Sequence, residues 1–188
     1  MKIDSLVEKA KKLREKGLMT EEIADELNVS FETAMWLLTK ATETPPSDIY
    51  IEWRNLSKPS RLRLLAIALA DMISEKYNNI DAVVGIATSG IPLASMVAEE
   101  LSTDFAVYYP RKVRGEEVKG GVLSENFSKV GGKNCAIVDD VISTGRTISE
   151  AIEVISANNG KVVCVAVMVD KGGKVDVPVL CLLRITRI

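Results

Sequence analysis

Two adjacent aspartates, Asp139 and Asp140, followed by a loop of small polar residues, form the part of this chain best suited to binding chemistry. The apolar residues 136–138 before them predict a buried strand, which would deliver both carboxylates to the carboxyl edge of a parallel sheet. The loop supplies backbone N–H groups, hydroxyl groups and a glycine that tolerates positive φ, and residues 148–157 predict an amphipathic helix that begins beside it. The loop is therefore predicted to bind an anion; its residues are Ser143, Thr144, Gly145, Arg146 and Thr147.

A phosphate group in this loop would be repelled by Asp139 and Asp140 unless the two carboxylates bind hydroxyl groups or a divalent cation. A ribose that carries a 5′-phosphate meets both conditions, because its hydroxyl groups donate to the carboxylates while its phosphate occupies the loop. Asp139 and Asp140 are also the residues that would hold a Mg²⁺ ion indirectly, by way of the ligand. The alternative is a plain strand, turn and helix whose aspartate pair faces solvent.

A second loop of this kind lies upstream. Residues 82–87 predict another buried strand, and Thr88, Ser89 and Gly90 follow it directly. Pro92 suits the first turn of the helix that comes next. Turns of this type are common before helices, but the position of this one ahead of the aspartate pair strengthens the prediction of a second anion site.

Together, the two loops resemble the signature of type I phosphoribosyltransferases, which use phosphoribosyl pyrophosphate (PRPP). In that family the acidic pair holds the ribose 2′- and 3′-hydroxyl groups, the loop after it cradles the 5′-phosphate, and the upstream loop binds pyrophosphate with Mg²⁺. The resemblance implies an α/β fold in which a parallel sheet carries helices on both faces. Residues 85–94 look most like the orotate branch of the family.

Two further segments bear on the ligand. The polar, glycine-punctuated residues 108–133 are too long for an ordinary connection and predict a functional loop, with a solvated hairpin as the alternative. Arg111 and Lys112 in this loop would neutralise a departing pyrophosphate, as catalytic residues if the chain is an enzyme. Lys171 lies where orotate enzymes usually have an arginine that grips the orotate carboxylate. A lysine cannot make that planar contact, so the resemblance to orotate enzymes does not extend to the residue that binds the orotate base. Lys171 stays a candidate for effector binding.

The N-terminal region has helix-capping and turn residues at the spacing typical of a helix–turn–helix. Residues 5–16 predict an amphipathic helix, Thr20 is placed to cap a second helix, and Ser30 is placed to cap a third. We therefore assign residues 1–43 to a small all-α helix–turn–helix domain that precedes the phosphoribosyltransferase-like domain. The face of the third helix predicted to bind DNA consists of Ser30, Phe31, Glu32, Thr33 and Met35.

Charge argues against this interpretation of the N-terminal region. Residues 1–40 carry seven basic and eight acidic side chains, so they lack the strongly basic surface typical of DNA-binding domains. The alternative is a helical hood over the ligand site or a dimerisation element, since orotate enzymes themselves begin with a helix and a hood. Residues 44–188 form the second predicted domain, which begins with a strand expected over residues 46–56 by similarity to those enzymes.

The whole chain resembles archaeal orotate phosphoribosyltransferase-like transcriptional regulators. This resemblance implies a homodimer that binds double-stranded DNA and senses PRPP, a nucleotide or a related phosphorylated sugar. The competing hypothesis is an active, Mg²⁺-dependent orotate phosphoribosyltransferase. The 188 residues have a formal net charge of −2, three cysteines without paired spacing, and no apolar leader. These features predict a cytoplasmic protein with reduced thiols and no membrane segment.

Overall fold

The computed structural model describes residues 3–110, 121–124 and 126–186. Contacts divide the chain into two compact units, Met1–Asn55 and Leu56–Ile188. Arg111 and Lys112, predicted to contact pyrophosphate, lie outside the described residues.

The first unit contains three helices: α1 (Ile3–Glu15), α2 (Thr20–Glu26) and α3 (Phe31–Thr39). Asn28, in the turn between α2 and α3, has a φ of 52°, and the Ser30 side chain caps α3 by accepting a hydrogen bond from the Thr33 N–H. The predicted cap at Thr20 is wrong: Met19 is the N-cap, and Thr20 is the first residue inside α2. The helices share one core, whose buried residues are Leu6, Val7, Ala10, Ile23, Ala24, Leu27, Val29, Ala34, Trp36 and Leu37.

The segment after α3 does not form the strand expected over residues 46–56. It is irregular until a 3₁₀ helix at Arg54–Leu56. Two consecutive prolines, Pro45 and Pro46, lack the N–H groups that a paired strand needs. The Asp48 carboxylate instead accepts hydrogen bonds from the Ser30 and Ile49 N–H groups. This segment therefore belongs by its contacts to the helical unit, which ends later in the chain than the predicted boundary at 43/44.

The second unit is built on a six-stranded sheet with the order β3-β2-β1-β4-β5-β6. Only the β2–β3 pair is antiparallel; the other neighbouring strands are parallel. The helices described in this unit are α4 (Pro59–Lys76), α5 (Gly90–Leu101) and α6 (Arg146–Ala157). The strands are β1 (Ala82–Ile86), β2 (Asp104–Tyr109), β3 (Val122–Ser124), β4 (Asn134–Ile142), β5 (Lys161–Asp170) and β6 (Val179–Arg184).

Helices cover both faces of this sheet. On one face, Ile148, Ala151 and Ile155 of α6 share a buried core with Val84 of β1. The next residue of β1, Gly85, points to the other face, because side chains alternate along a strand. A Cβ atom at Gly85 would lie 2.8 Å from the Ala94 Cβ of α5, so α5 packs directly on that face. The predicted sheet with helices on both faces is confirmed.

Among the helices that the structure describes, none combines the length and the apolar character needed to cross a membrane.

Candidate functional site

The sheet brings the two predicted loops to one edge. β1 and β4 are adjacent and parallel, with Gly85 in register with Val138, so the last residue of β1, Ile86, lies level with Asp139 of β4. The loop after β1 contains the exposed Thr88 and Ser89, and the aspartate pair lies within the last four residues of β4. Because ligands of α/β proteins bind at the carboxyl ends of parallel strands, this edge is the candidate site.

The aspartate pair is buried and held by hydrogen bonds. Asp139 is 8% exposed and Asp140 6%. The Asp139 Oδ1 accepts from the Asp140 N–H at 2.9 Å, and the Asp140 Oδ1 accepts from the Val141 N–H at 2.9 Å. The Ser89 hydroxyl donates to the same Asp140 Oδ1 at 3.0 Å, so the two loops contact each other directly. The alternative of a solvent-facing pair is wrong, because both side chains are buried.

The second carboxylate oxygen of Asp140, Oδ2, is buried and has no hydrogen-bond partner in the structure. A buried acceptor without a donor costs about 1–3 kcal/mol. A hydroxyl group of a ligand would relieve that cost, and so would a water molecule bound to a metal ion. This unpaired oxygen fits the polar ligand that the sequence predicts.

Gly90 allows the upstream loop to approach the aspartates. A Cβ atom at this position would lie 2.8 Å from the Val138 carbonyl oxygen and 2.9 Å from the Asp139 Oδ1. Both distances are shorter than carbon atoms tolerate in proteins, so only glycine fits here. Gly90 is also the first residue of α5, whose N–H groups therefore begin beside the acidic pair.

The predicted phosphate loop follows β4 and ends at α6. Ser143 and Thr144 are exposed, Gly145 is buried with a φ of 88°, and Arg146 and Thr147 form the first turn of α6. A Cβ atom at Gly145 would overlap the Lys174 carbonyl oxygen. The Arg146 N–H donates to the Thr144 hydroxyl at 3.3 Å. The loop thus presents hydroxyl groups and a helix N-terminus, which together favour an anion.

Sequence analysis did not single out Asp170, a third buried aspartate at the same edge. It ends β5 and is 5% exposed. Its Oδ1 accepts from the Gly172 N–H at 2.8 Å and from the Gly173 N–H at 3.2 Å, while its Oδ2 accepts from the Arg184 Nε at 3.0 Å. Asp170 therefore shapes the loop that carries the half-buried Lys171. The sequence feature that could have identified Asp170 is its position directly after an apolar run, which Asp139 shares.

Lys171 adjoins the phosphate loop through its backbone. Its N–H donates to the Ile142 carbonyl oxygen at 2.9 Å. The Lys174 N–H donates to the Thr144 carbonyl oxygen at 3.4 Å. The loop after β5 thus packs against the loop after β4, and the structure brings together every predicted ligand residue that it describes.

In the helical unit, the predicted DNA-binding face is only partly exposed. Phe31 is 47% exposed and Met35 40%, and Glu32 is also exposed. Thr33 is 9% exposed, so its assignment to the exposed face is wrong. The Ser30 hydroxyl donates to the Thr33 hydroxyl at 2.9 Å and accepts from the Thr33 N–H at 3.2 Å, which turns Thr33 inward.

Two cysteines are buried in the strands that carry the site. Burial raises the pKa of Cys135 to about 11 and the pKa of Cys164 to about 12. Both side chains are therefore protonated thiols at neutral pH, and thiols in that state do not bind metal ions.

This arrangement is that of a phosphoribosyltransferase fold. Residues 52–186 match the phosphoribosyl transferase domain family, and the chain belongs to that family. Orotate phosphoribosyltransferase from Aeropyrum pernix superposes with a TM-score of 0.61 and 25% identity, over 77% of this chain and 83% of that one. Adenine phosphoribosyltransferase from Saccharomyces cerevisiae has the same fold, with a TM-score of 0.62 and 20% identity over 74% of this chain and 89% of that one.

Particular relatives match the chain from end to end. A protein of Archaeoglobus fulgidus named transcriptional regulator GfcR is 65% identical over 193 aligned positions, covering 100% of this chain and 99% of its own length. A protein of the same name from Methanocella arvoryzae is 45% identical, covering 99% of this chain and 98% of its own. The similarity therefore includes helices α1 to α3, which the domain family does not cover.

Proposed function

We propose that this protein is a DNA-binding transcriptional regulator whose phosphoribosyltransferase-like domain senses PRPP, a nucleotide or a related sugar phosphate. The observation that carries the proposal is the end-to-end similarity to proteins named transcriptional regulator GfcR, at 65% identity in the nearest case described above. The three helices α1, α2 and α3 lie outside residues 52–186, the part that matches phosphoribosyl transferase domains. A function that uses both the N-terminal helices and the phosphoribosyltransferase-like domain explains similarity over the whole chain better than a function of that domain alone.

The chemistry of the sheet edge supports a phosphorylated ribose as the effector. The unpaired Asp140 Oδ2 would accept a hydrogen bond from a ribose hydroxyl group, and Asp139 would take the neighbouring hydroxyl. The 5′-phosphate would occupy the loop of residues 143–147 at the start of α6. Thr88, Ser89 and Gly90 would bind the pyrophosphate of PRPP, and Lys171 would contribute a positive charge to the same edge.

Mg²⁺ enters this proposal together with the ligand. Among the described residues, no three His, Cys, Asp or Glu side chains are grouped as a protein-held metal site would require. Mg²⁺ keeps several water molecules and is commonly bound by one or two carboxylates and substrate phosphates. The pyrophosphate of PRPP would therefore carry the ion, with Asp139 and Asp140 acting indirectly.

The regulatory step needs a coupling between effector and DNA. We propose a homodimer that presents two copies of α3 to double-stranded DNA, as dimeric helix–turn–helix proteins do. Arg111 and Lys112 would contact the effector, and effector binding would favour one of two dimer states that differ in affinity for DNA. Both residues lie outside the part of the chain that the structure describes, so their role is carried over from the sequence alone.

The second candidate function is orotate phosphoribosyltransferase activity, favoured by the structural similarity to the Aeropyrum enzyme. Asp139 and Asp140 would then orient the ribose, Thr88 and Ser89 would bind pyrophosphate with Mg²⁺, and Arg111 and Lys112 would be the catalytic residues. Lys171 argues against this function, because a lysine cannot make the planar two-point contact with a carboxylate that arginine makes.

The experiment that tests the proposal is fluorescence anisotropy of the full-length protein against duplexes from upstream of its own gene, with and without PRPP and Mg²⁺. We expect saturable, sequence-dependent binding whose affinity changes with PRPP. A duplex of the same composition in scrambled order is the control. The same protein is then mixed with PRPP, Mg²⁺ and orotate, and loss of orotate absorbance is followed.

The outcomes separate the two functions. Sequence-dependent binding that responds to PRPP, without orotate turnover, supports the regulator. Turnover without sequence-dependent DNA binding would overturn it in favour of the enzyme. DNA binding that ignores PRPP, nucleotides and ribose 5-phosphate would leave the regulator standing and reject its proposed sensor.

A further inference from the structure

The exposed face of α3 has a restricted chemistry. From Ser30 to Thr39, the sequence contains no lysine, arginine, asparagine or glutamine. Phe31 and Met35, 47% and 40% exposed, are four residues apart and therefore lie on the same side of the helix. Glu32 is exposed next to Phe31.

The hydroxyl groups of this segment already make hydrogen bonds within the segment. Ser30 and Thr33 bond to each other, with 2.9 Å between their hydroxyl oxygens. The Thr39 hydroxyl donates to the Met35 carbonyl oxygen at 2.8 Å. The first two turns of α3 therefore offer a ligand two apolar side chains and one carboxylate.

Base edges in the major groove differ in how well they fit such a face. Thymine presents a methyl group, which contacts apolar side chains, and cytosine presents an amino group, which donates to a carboxylate. Adenine also presents an amino group, but its neighbouring N7 is an acceptor that repels a carboxylate. Guanine presents only acceptors, which a carboxylate repels and an apolar side chain cannot satisfy. The arginine and lysine contacts that commonly select guanine have no source on this helix.

Resting on the DNA binding proposed above, we infer that α3 reads thymine methyl groups through Phe31 and Met35. Glu32 accepts a hydrogen bond from a cytosine amino group and excludes guanine from the position that it faces. The half-site opposite α3 is therefore rich in pyrimidines on one strand, with thymines at the two positions that Phe31 and Met35 contact. Specificity comes from buried methyl groups rather than from bidentate hydrogen bonds.

The test removes the methyl groups from the DNA, which leaves the protein unchanged. Full-length protein first selects duplexes from a randomised pool, and each thymine of a selected duplex is then replaced singly by 2′-deoxyuridine. Deoxyuridine keeps the hydrogen-bonding groups of thymidine and lacks only the 5-methyl. Burial of one methyl corresponds to an affinity change of about fourfold, so we expect the dissociation constant to rise roughly fourfold at each of two thymines per half-site.

Protein variants then identify the contacting side chains. Phe31→Ala and Met35→Ala are each expected to bring the ratio of uracil to thymine dissociation constants to about one at one position, while leaving it at about four at the other. The matched control is Thr39→Ala, an exposed change on the same helix, which keeps both ratios. Circular dichroism of each variant checks that the helical unit is folded.

The results that would overturn the inference are distinct from failure of DNA binding. A selected duplex that binds equally well with thymine and with uracil at every position would overturn methyl readout while leaving the regulator intact. A Phe31→Ala variant that changes the assembly state in analytical ultracentrifugation and leaves the ratios unchanged would assign this face to contact between copies of the chain. Failure to enrich any sequence would reject DNA binding itself.

Discussion

Asp140 is the residue on which the ligand site depends most. One of its carboxylate oxygens accepts from both the Ser89 hydroxyl and the Val141 N–H, at 3.0 and 2.9 Å. The other oxygen is buried without a partner. The carboxylate is therefore fixed by the protein through one oxygen, while the other keeps its capacity to accept a hydrogen bond from a ligand, as a preorganised site requires.

We predict that Asp140→Asn weakens PRPP binding at least about tenfold, because a hydrogen bond to a charged group is replaced by a weaker or repulsive contact with an amide. Isothermal titration calorimetry with PRPP and Mg²⁺ measures the change. The control is Asp71→Asn, an exposed position on α4. Unchanged affinity in Asp140→Asn would remove this residue from the site.

At the scale of elements, Ser30 sets where α3 begins and which of its residues face outward. Its hydroxyl accepts from the Thr33 N–H at 3.2 Å and donates to the Thr33 hydroxyl at 2.9 Å. Loss of these bonds would leave the helix without a cap and would free Thr33 to turn. The exposed positions of Phe31 and Met35 follow from this local geometry.

We therefore predict that Ser30→Ala lowers the free energy of unfolding of the helical unit by about 1 kcal/mol, the usual cost of removing such a cap. Thermal unfolding followed by circular dichroism checks this value. Lys11→Ala on α1 serves as the comparison, because changes at exposed positions of that kind stay within about 0.5 kcal/mol. An equal loss in both variants would show that the cap contributes nothing specific.

The elements of the ligand site could be predicted from sequence where the cause is local. An apolar run ending in Asp139 and Asp140, and a glycine where φ is 88°, are visible as residue types in order. The pair between Asp170 and Arg184 was not visible, because it depends on the register of two strands. Thr33 was misplaced because helical spacing alone does not reveal its bonds to Ser30. The strand expected over residues 46–56 came from similarity to enzymes and failed at Pro45 and Pro46.

At the scale of the whole molecule, charge limits how the protein can hold DNA. Residues 1–40 carry seven basic and eight acidic side chains, and the chain as a whole has a net charge of −2. DNA binding of this protein should therefore rest on few phosphate contacts. Its specificity would have to come from shape and base contacts rather than from a basic surface.

We predict a weak salt dependence, with a slope of log affinity against log salt no steeper than about −5, corresponding to roughly five or fewer phosphate contacts for a dimer. Anisotropy titrations between low and physiological salt give this slope. A much steeper slope would mean that basic residues outside the first 40 contact the DNA. A slope of zero would mean that the protein makes no ionic contacts with the DNA phosphates.

The unpaired oxygen of Asp140 has a further consequence for the protein in the cell. A bound effector adds its binding energy to the stability of the folded protein, about 2.7 kcal/mol at a hundredfold excess over its dissociation constant. A difference of this size changes the fraction of molecules open to proteases several-fold. We therefore expect the effector to lengthen the lifetime of the protein, so that the same small molecule would set both how much of the protein is present and what it does.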